Sequence, residues 1–261
     1  MFQRRDVGGE LAAIRDEHAP DAFVFDTERD FETLSPAVAE NLAPIVDSFE
    51  PLSYPDEWVP TSAPEPLRRL ASDEFTIGAP GDGGVAWTRQ TVPPTVFVKP
   101  RLEGSPDGFV EFLIAEAFVE IGLGHPEQFL GFFGERYREL AEATPLDPAE
   151  TYQLAAALFD AYVGLDAREL FAAWEGTHGR LHAEWVDAGE RLAPRVSGLP
   201  RDVAVGRTDF ASAAELACSA VKHGLELPAP FAALDTSAYR DHGAAYAVRW
   251  AERTFEALAD E

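Results

Sequence analysis

The chain has 261 residues, 46% of them hydrophobic, enough to bury a core without disulfides or metals as staples. Its 46 acidic residues against 21 basic ones leave a formal charge of -25, which argues against partners such as DNA, RNA or an anionic membrane, because phosphate recognition needs the opposite sign. One cysteine, Cys218, excludes an intramolecular disulfide and any multi-cysteine zinc or iron–sulfur site.

Taken in order, Met1 to Asp6 lack the apolar run of a secretory signal, and residues 6–18 read as a short amphipathic helix with Val7, Leu11 and Ile14 on one face. Ala22 to Phe25 form a brief extended segment. Ser35 is a natural N-cap with Pro36 at the first helical position, so a helix is expected from Ser35 to about Phe49, kinked or ended by Pro44. Five prolines between Glu50 and Pro66, with Tyr54 and Trp58 among them, describe an irregular wrap pinned by its aromatics. A short helix over Pro66–Asp73 follows.

Phe75 to Ile77, Val85 to Thr88 and Thr95 to Val98 carry the clearest β signal and predict a three-stranded antiparallel meander. The Gly-rich loop between the first two, Ala79 to Gly84, lacks the Lys-Ser/Thr of a phosphate cradle and joins two strands, so it reads as a turn.

From Ser105 onward the pattern is helical. Ser105–Ile121 is apolar around most of its circumference, and Pro126–Ala143 adds Phe129, Leu130, Phe132, Phe133, Tyr137 and Leu140. Such a pair cannot hide its own surface, so it is expected at the centre with the other elements packed around it. Asp147 opens a helix that should stop at Gly164, and Asp166 opens another that should run to about Leu192. Pro194–Arg207 reads as a connector, Phe210–His223 as an alanine-rich helix, and Ser237–Leu258 as the last helix. The expected fold class is therefore mainly α: a helical bundle of about six to eight helices, with a small antiparallel β-meander (about residues 74–99) packed on one side. Residues 1–261 are expected to make a single globular domain, 1–104 its irregular α+β part and 105–261 its helical bundle.

Few residues invite chemistry. Glu175, His178 and His182, on the helix expected to run to Leu192, would project within about 60° of one another at ~100° per residue. That spacing can hold a divalent metal such as zinc, the remaining ligands coming from another element. It is not His-Glu-x-x-His, since Gly179, Arg180 and Leu181 lie between the histidines. Glu116 and Glu120, one turn apart on the apolar helix, would raise one another's pKa if buried together, unless Arg101, Arg136 or Arg138 pairs with them. A ferritin-like cage joining both sets is disfavoured, because no second helix carries Glu-x-x-His. Asp241-His242 near Tyr239 and Tyr246, His223 before Gly224, and a buried Cys218 complete the candidates; no nucleophile elbow, P-loop or dinucleotide fingerprint is present.

Two function classes follow. One is a non-catalytic cytoplasmic protein that binds a partner protein or small ligand through its bundle and needs no cofactor. The other is a metal-dependent hydrolase or oxidoreductase using Glu175, His178 and His182. The composition separates neither. Only Lys99 and Lys222 are lysines, so 19 of the 21 basic residues are arginine, and the acids are spread along the whole chain. Carboxylate-dense, lysine-poor and alanine-rich, the sequence resembles the uncharacterised, lineage-restricted proteins of haloarchaea over all 261 residues. The resemblance is one of composition; it implies work in concentrated salt and carries over no activity.

Self-repulsion at this charge is screened when the Debye length shrinks to roughly 3 Å near 1 M salt. The melting temperature is therefore expected to fall steadily as KCl is lowered from about 3 M to about 0.1 M; calorimetry showing no dependence on salt would contradict the reading.

Overall fold

The computed structural model describes residues 2–72, 74–79 and 81–259. It contains β1 (Phe2–Arg4), α1 (Gly9–His18), β2 (Phe23–Thr27), α2 (Pro36–Ala39), β3 (Ser48–Phe49), α3 (Glu65–Ala71), β4 (Val85–Thr88), β5 (Thr91–Val92) and β6 (Thr95–Val98). Helices α4 (Asp107–Leu123), α5 (Phe129–Phe133), α6 (Arg136–Glu142), α7 (Pro148–Ala173), α8 (Gly179–Ala204), α9 (Phe210–Ser219) and α10 (Ser237–Ala259) follow. The protein is mainly helical with a small sheet, as the sequence pattern requires. The chain divides into two compact units, Met1–Ser53 with Arg69–Glu127 and Leu170–Trp185, and Tyr54–Arg68 with Gln128–Glu169 and Val186–Glu261.

The first unit is built on β6. All four of its residues are buried, the continuous apolar signature of a strand with neighbours on both edges and cover on both faces. It pairs antiparallel with β4, Val85 opposite Val98, and parallel with β2, Phe23 opposite Thr95. Strand β1 adds antiparallel to β2, giving the order β1-β2-β6-β4. The sheet is thus mixed, and the expected meander is corrected in one respect. Phe75 to Ile77 form no strand; Ile77 makes a single bridge with Leu34, Phe75 packs edge-on against Phe49 at 4.8 Å, and the open edge of β6 is taken by β2 from the start of the chain. Asp73 at the end of the expected 66–73 helix and Pro80 in the Gly-rich loop lie outside the described residues.

Helix α4 belongs to this unit and buries Val110, Phe112, Ile114, Phe118, Val119 and Ile121. It packs on α1 and β4. Phe112 meets Phe171 edge-on at 5.7 Å, and Phe171 in turn lies 4.8 Å from Trp174. The expected helix over Ser35–Phe49 is corrected: α2 ends at Ala39, a 3₁₀ turn covers Glu40–Leu42, and the chain is extended again at β3, paired with β5. Pro44, which cannot donate a helical hydrogen bond, lies between the two states.

A buried polar network ties the end of β4 to the chain beyond α4. Glu127 accepts from the Thr88 hydroxyl (2.8 Å), the Gln90 side-chain amide (2.8 Å) and the Arg89 backbone N–H (2.8 Å). Gln90 also donates to the Thr76 carbonyl at 2.8 Å and accepts from the Leu52 N–H at 3.1 Å. Burial pushes the Glu127 carboxyl above its ordinary range, while the Arg89 N–H, the Thr88 hydroxyl and the Gln90 amide pull it back.

The second unit gathers around the aromatic segment after Gln128. The expected helix over Pro126–Ala143 is broken into α5 and α6 at Gly134, whose φ of 57° and ψ of -137° leave the helical region. Phe129 meets Tyr152 edge-on at 5.1 Å, Phe132 lies 4.6 Å from Tyr162, and the Tyr239 hydroxyl donates to the Leu158 carbonyl at 2.6 Å. Helix α7 does not stop at Gly164. That glycine sits inside the helix, and a Cβ there would fall 3.0 Å from the Lys222 backbone nitrogen; the residue marks a close approach instead of an end. Nor is Pro194–Arg207 a connector, since α8 runs through Pro194 and Pro200 and buries Val196 and Leu199. Helix α10 follows the expected bounds with an internal kink at Gly243.

Removing the Glu127 acceptor strands three donors. Glu127→Ala is expected to lower unfolding free energy by about 1–3 kcal/mol, and Glu127→Gln, which keeps an acceptor oxygen, by less. Denaturant unfolding at fixed KCl measures both.

Candidate functional site

Parallel strands start at one end of a sheet and finish at the other, so the turns leaving β2 and β6 open on the same side. The β2 turn continues into Glu28-Arg29-Asp30-Phe31-Glu32, and the β6 turn into Lys99-Pro100-Arg101. Crevices outside the carboxyl ends of parallel strands are recurrent ligand sites. Here the two turns, together with the loop before β4, bring five charged side chains into one cluster.

Lys99 is 1% exposed. Its ammonium lies 4.7 Å from the centre of the Phe31 ring, and its hydrogen bond to the Asp82 carbonyl is long, 3.4 Å. The Asp82 carboxylate accepts from the Ala79 N–H at 2.6 Å. Arg101 holds Asp30 through its Nε at 2.9 Å from both carboxylate oxygens, and reaches Glu32 at 2.7 Å. Glu32 also accepts from the Gly81 N–H at 3.2 Å, fastening the loop before β4 to the one after β2.

The electrostatics follow from these contacts. Burial pushes the Asp82 carboxyl up to about 6, against the pull of Lys99 and of the Ala79 N–H. Burial likewise lowers Lys99, with Asp82 opposing. Asp30 is held below its ordinary value by the Arg101 guanidinium. Glu32 is also held low, because Arg101 and the Gly81 N–H outweigh the burial that would raise it.

Beside the cluster lies a cleft of about 190 Å³. Phe2, Phe31, Leu34 and Val38 give it an apolar lining, and Thr27, Thr33 and Ser35 supply hydroxyls. Thr27 already donates to the Val98 carbonyl at 3.3 Å. Asp30 and Arg29 complete the wall. Asp30 is engaged by Arg101, whereas no hydrogen bond or ion pair among the described residues occupies Arg29.

The residues expected from sequence are placed differently. The helix carrying Glu175, His178 and His182 is not continuous: α7 ends at Ala173, a 3₁₀ turn covers Trp174–Gly176, and α8 begins at Gly179. Glu175 stands exposed on the turn, His178 sits before α8 with its ring edge-on to Trp174 at 6.4 Å, and His182 lies on α8 at 5.5 Å from Trp185. The shared flank computed for an unbroken helix is therefore lost, and no group of three or more His, Cys, Asp or Glu side chains among the described residues is arranged to hold a metal. The break is stabilised by Glu10, whose carboxylate accepts from the Arg180 and Leu181 N–H groups at 3.3 and 3.1 Å, capping the first turn of α8.

Glu116 is buried at 7% exposure, while Glu120 is half-buried and accepts from the Trp87 indole at 2.6 Å. Of the expected arginines, Arg101 binds Asp30 and Glu32, Arg136 binds Glu139, and Arg138 donates to the Glu57 carbonyl. Cys218 is buried, and burial raises its thiol well above the ordinary range. His223 ends a 3₁₀ turn before Gly224, as its sequence suggests. Asp241 and His242 are exposed. The Lys99 cluster was missed; the signal available was the rarity of lysine, and its partners lie up to 71 residues away.

A family of unknown function, DUF7089, matches residues 1–258. Neither the curated proteins nor the solved structures give a match.

Asp82 binds more protons folded than unfolded between its ordinary 3.8 and its raised value of about 6. Its contribution to stability therefore declines as pH rises through that window. Replacing it as Asp82→Asn should remove this decline from the stability–pH curve, read by denaturant unfolding at constant KCl; curves parallel to the parent's through the window would refute the assignment.

Proposed function

We propose that this chain, which belongs to the DUF7089 family of unknown function, is a cytoplasmic binding protein for a small organic anion, working in concentrated salt. The observation that carries the reading is the cleft at the carboxyl end of β2, where Arg29 is a cation that no carboxylate among the described residues holds. A volume of about 190 Å³ is below the roughly 300–1,000 Å³ of pockets for drug-sized ligands, which favours a compact occupant. The apolar rings suit its body, Arg29 its charged end, and the threonine and serine hydroxyls its remaining oxygens.

The net charge does not oppose an anion in concentrated salt. In a chain of net charge -25 an anion meets long-range repulsion, and molar salt removes that repulsion while leaving short-range pairing to Arg29 in force. The salt-adapted, cytoplasmic part of the proposal draws on the lysine-poor, acid-dense composition and on a single buried thiol. In the described residues no helix is long and apolar enough to cross a membrane. The alternative, a metal-dependent enzyme on Glu175, His178 and His182, draws no support from the broken helix.

Benzoate and hexanoate are suitable probes. At ten times its Kd, either should stabilise the protein by about 1.4 kcal/mol, a rise in melting temperature of about 2–4 °C. The rise should vanish in Arg29→Ala at matched ionic strength. Equal shifts in both proteins, or none in either, would overturn the proposal.

A further inference from the structure

Lys99 is an unusual place for a charge. An ammonium has three donors to satisfy, yet among the described residues its hydrogen bonding is one long contact to the Asp82 carbonyl, supplemented by the face of Phe31. A buried ammonium so poorly solvated is costly, and a neutral amine in the same place is not. The chain uses arginine for 19 of its 21 basic side chains, but arginine cannot give up its proton in a protein, whereas lysine can. Around Lys99 stand Asp82 from the loop before β4, Asp30 and Glu32 from the turn after β2, and Arg101 from its own turn. Arg101 neutralises Asp30 and Glu32. That leaves Asp82 as the carboxyl group available to exchange a proton with the amine. Phe31 both covers the Lys99 nitrogen and lines the cleft, so displacement of this one ring connects the two.

We propose that Lys99 is a nucleophilic amine that condenses with small aldehydes or ketones admitted past Phe31, Asp82 serving as its proton donor and acceptor. The neutral nitrogen attacks the carbonyl carbon; the C–N bond forms as the π pair moves to oxygen, which takes the proton of the Asp82 carboxylic acid. The nitrogen then returns a proton to that carboxylate. In the second stage the nitrogen lone pair expels the hydroxyl, which leaves as water with the Asp82 proton, and a protonated imine remains opposite the Asp82 carboxylate. One amine and one carbonyl compound give one imine and one water, with no oxidant or reductant required. The lowered pKa of Lys99 and the raised pKa of Asp82 agree with these roles. The inference is independent of the organic-anion reading, since it rests on Lys99, Asp82 and Phe31 and not on Arg29.

The scarcity of lysine makes the test direct. The folded protein in molar KCl is treated with propanal and cyanoborohydride, which reduces any imine to a stable propylamine, and peptide mapping by mass spectrometry compares Lys99 with Lys222 in the same molecule. Burial lowers the Lys99 pKa, so at about pH 7 its amine is neutral more often than an ordinary one, and Lys99 should be modified faster than Lys222. Denaturation should abolish the difference. Asp82→Asn should slow Lys99 while leaving Lys222 unchanged, and Lys222 reactivity together with circular dichroism reports whether that variant is folded. If Lys99 stays unmodified while Lys222 reacts, Lys99 is a sealed structural charge and the proposal fails; it fails also if Asp82→Asn leaves the Lys99 rate unaltered. Benzoate stabilisation of Lys99→Met is measured in parallel, so that loss of the anion reading is seen separately.

Discussion

The parallel pairing of β2 with β6 is the constraint from which the most consequential features of the first unit follow. Antiparallel strands can be joined by two residues, but parallel ones need a long crossover. Here residues 28–94 make it, and most of the small elements of that unit lie along it. The pairing also fixes where charges meet. Because both strands run the same way, Asp30 and Glu32 leave β2 on the side where Lys99 and Arg101 leave β6, and the Arg101 guanidinium closes the gap. Any slip in register by one residue would turn Phe25 and Phe97 away from the core they share with Leu42 and Ile77.

An excess of carboxylates shapes the rest. With 46 acids and 21 bases, most acids cannot be paired, and two of the arginines each serve more than one carboxylate. Arg240 reaches Asp166, Glu169 and the Leu165 carbonyl within the second unit, and Arg101 serves Asp30 and Glu32 in the first. Exposed pairs of this kind contribute little individually. Their value is to tie distant turns together while dissolved salt deals with the remaining repulsion. Against this background a cation enclosed by the fold, as Lys99 is, stands out by contrast with the arginines on the surface.

Several buried polar groups elsewhere find their partners within the fold. Thr88, Gln90 and Glu127 share donors and acceptors in a closed set, and Tyr239 delivers its hydroxyl to the Leu158 carbonyl. Lys99 departs from that pattern, and the departure is what separates a structural network from a site with unused hydrogen-bonding capacity.

Sequence alone determined the helical class, the burial of Phe112, Phe118, Phe129 and Phe133, and the burial of Cys218. These depend on local periodicity and composition, which need no knowledge of what lies across the fold. Punctuation residues were legible only where they acted locally: Pro36 begins α2 as expected, but Gly164 is inside α7 because Lys222 packs against it. The single helix expected to carry Glu175, His178 and His182 is interrupted for the same reason, since Glu10, more than 160 residues earlier, caps the start of α8. The partner strand of β6 and the burial of Lys99 were decided by tertiary structure, because each joins residues some 70 positions apart, and so was the cleft, whose lining brings Phe2 against the residues from Thr27 to Val38.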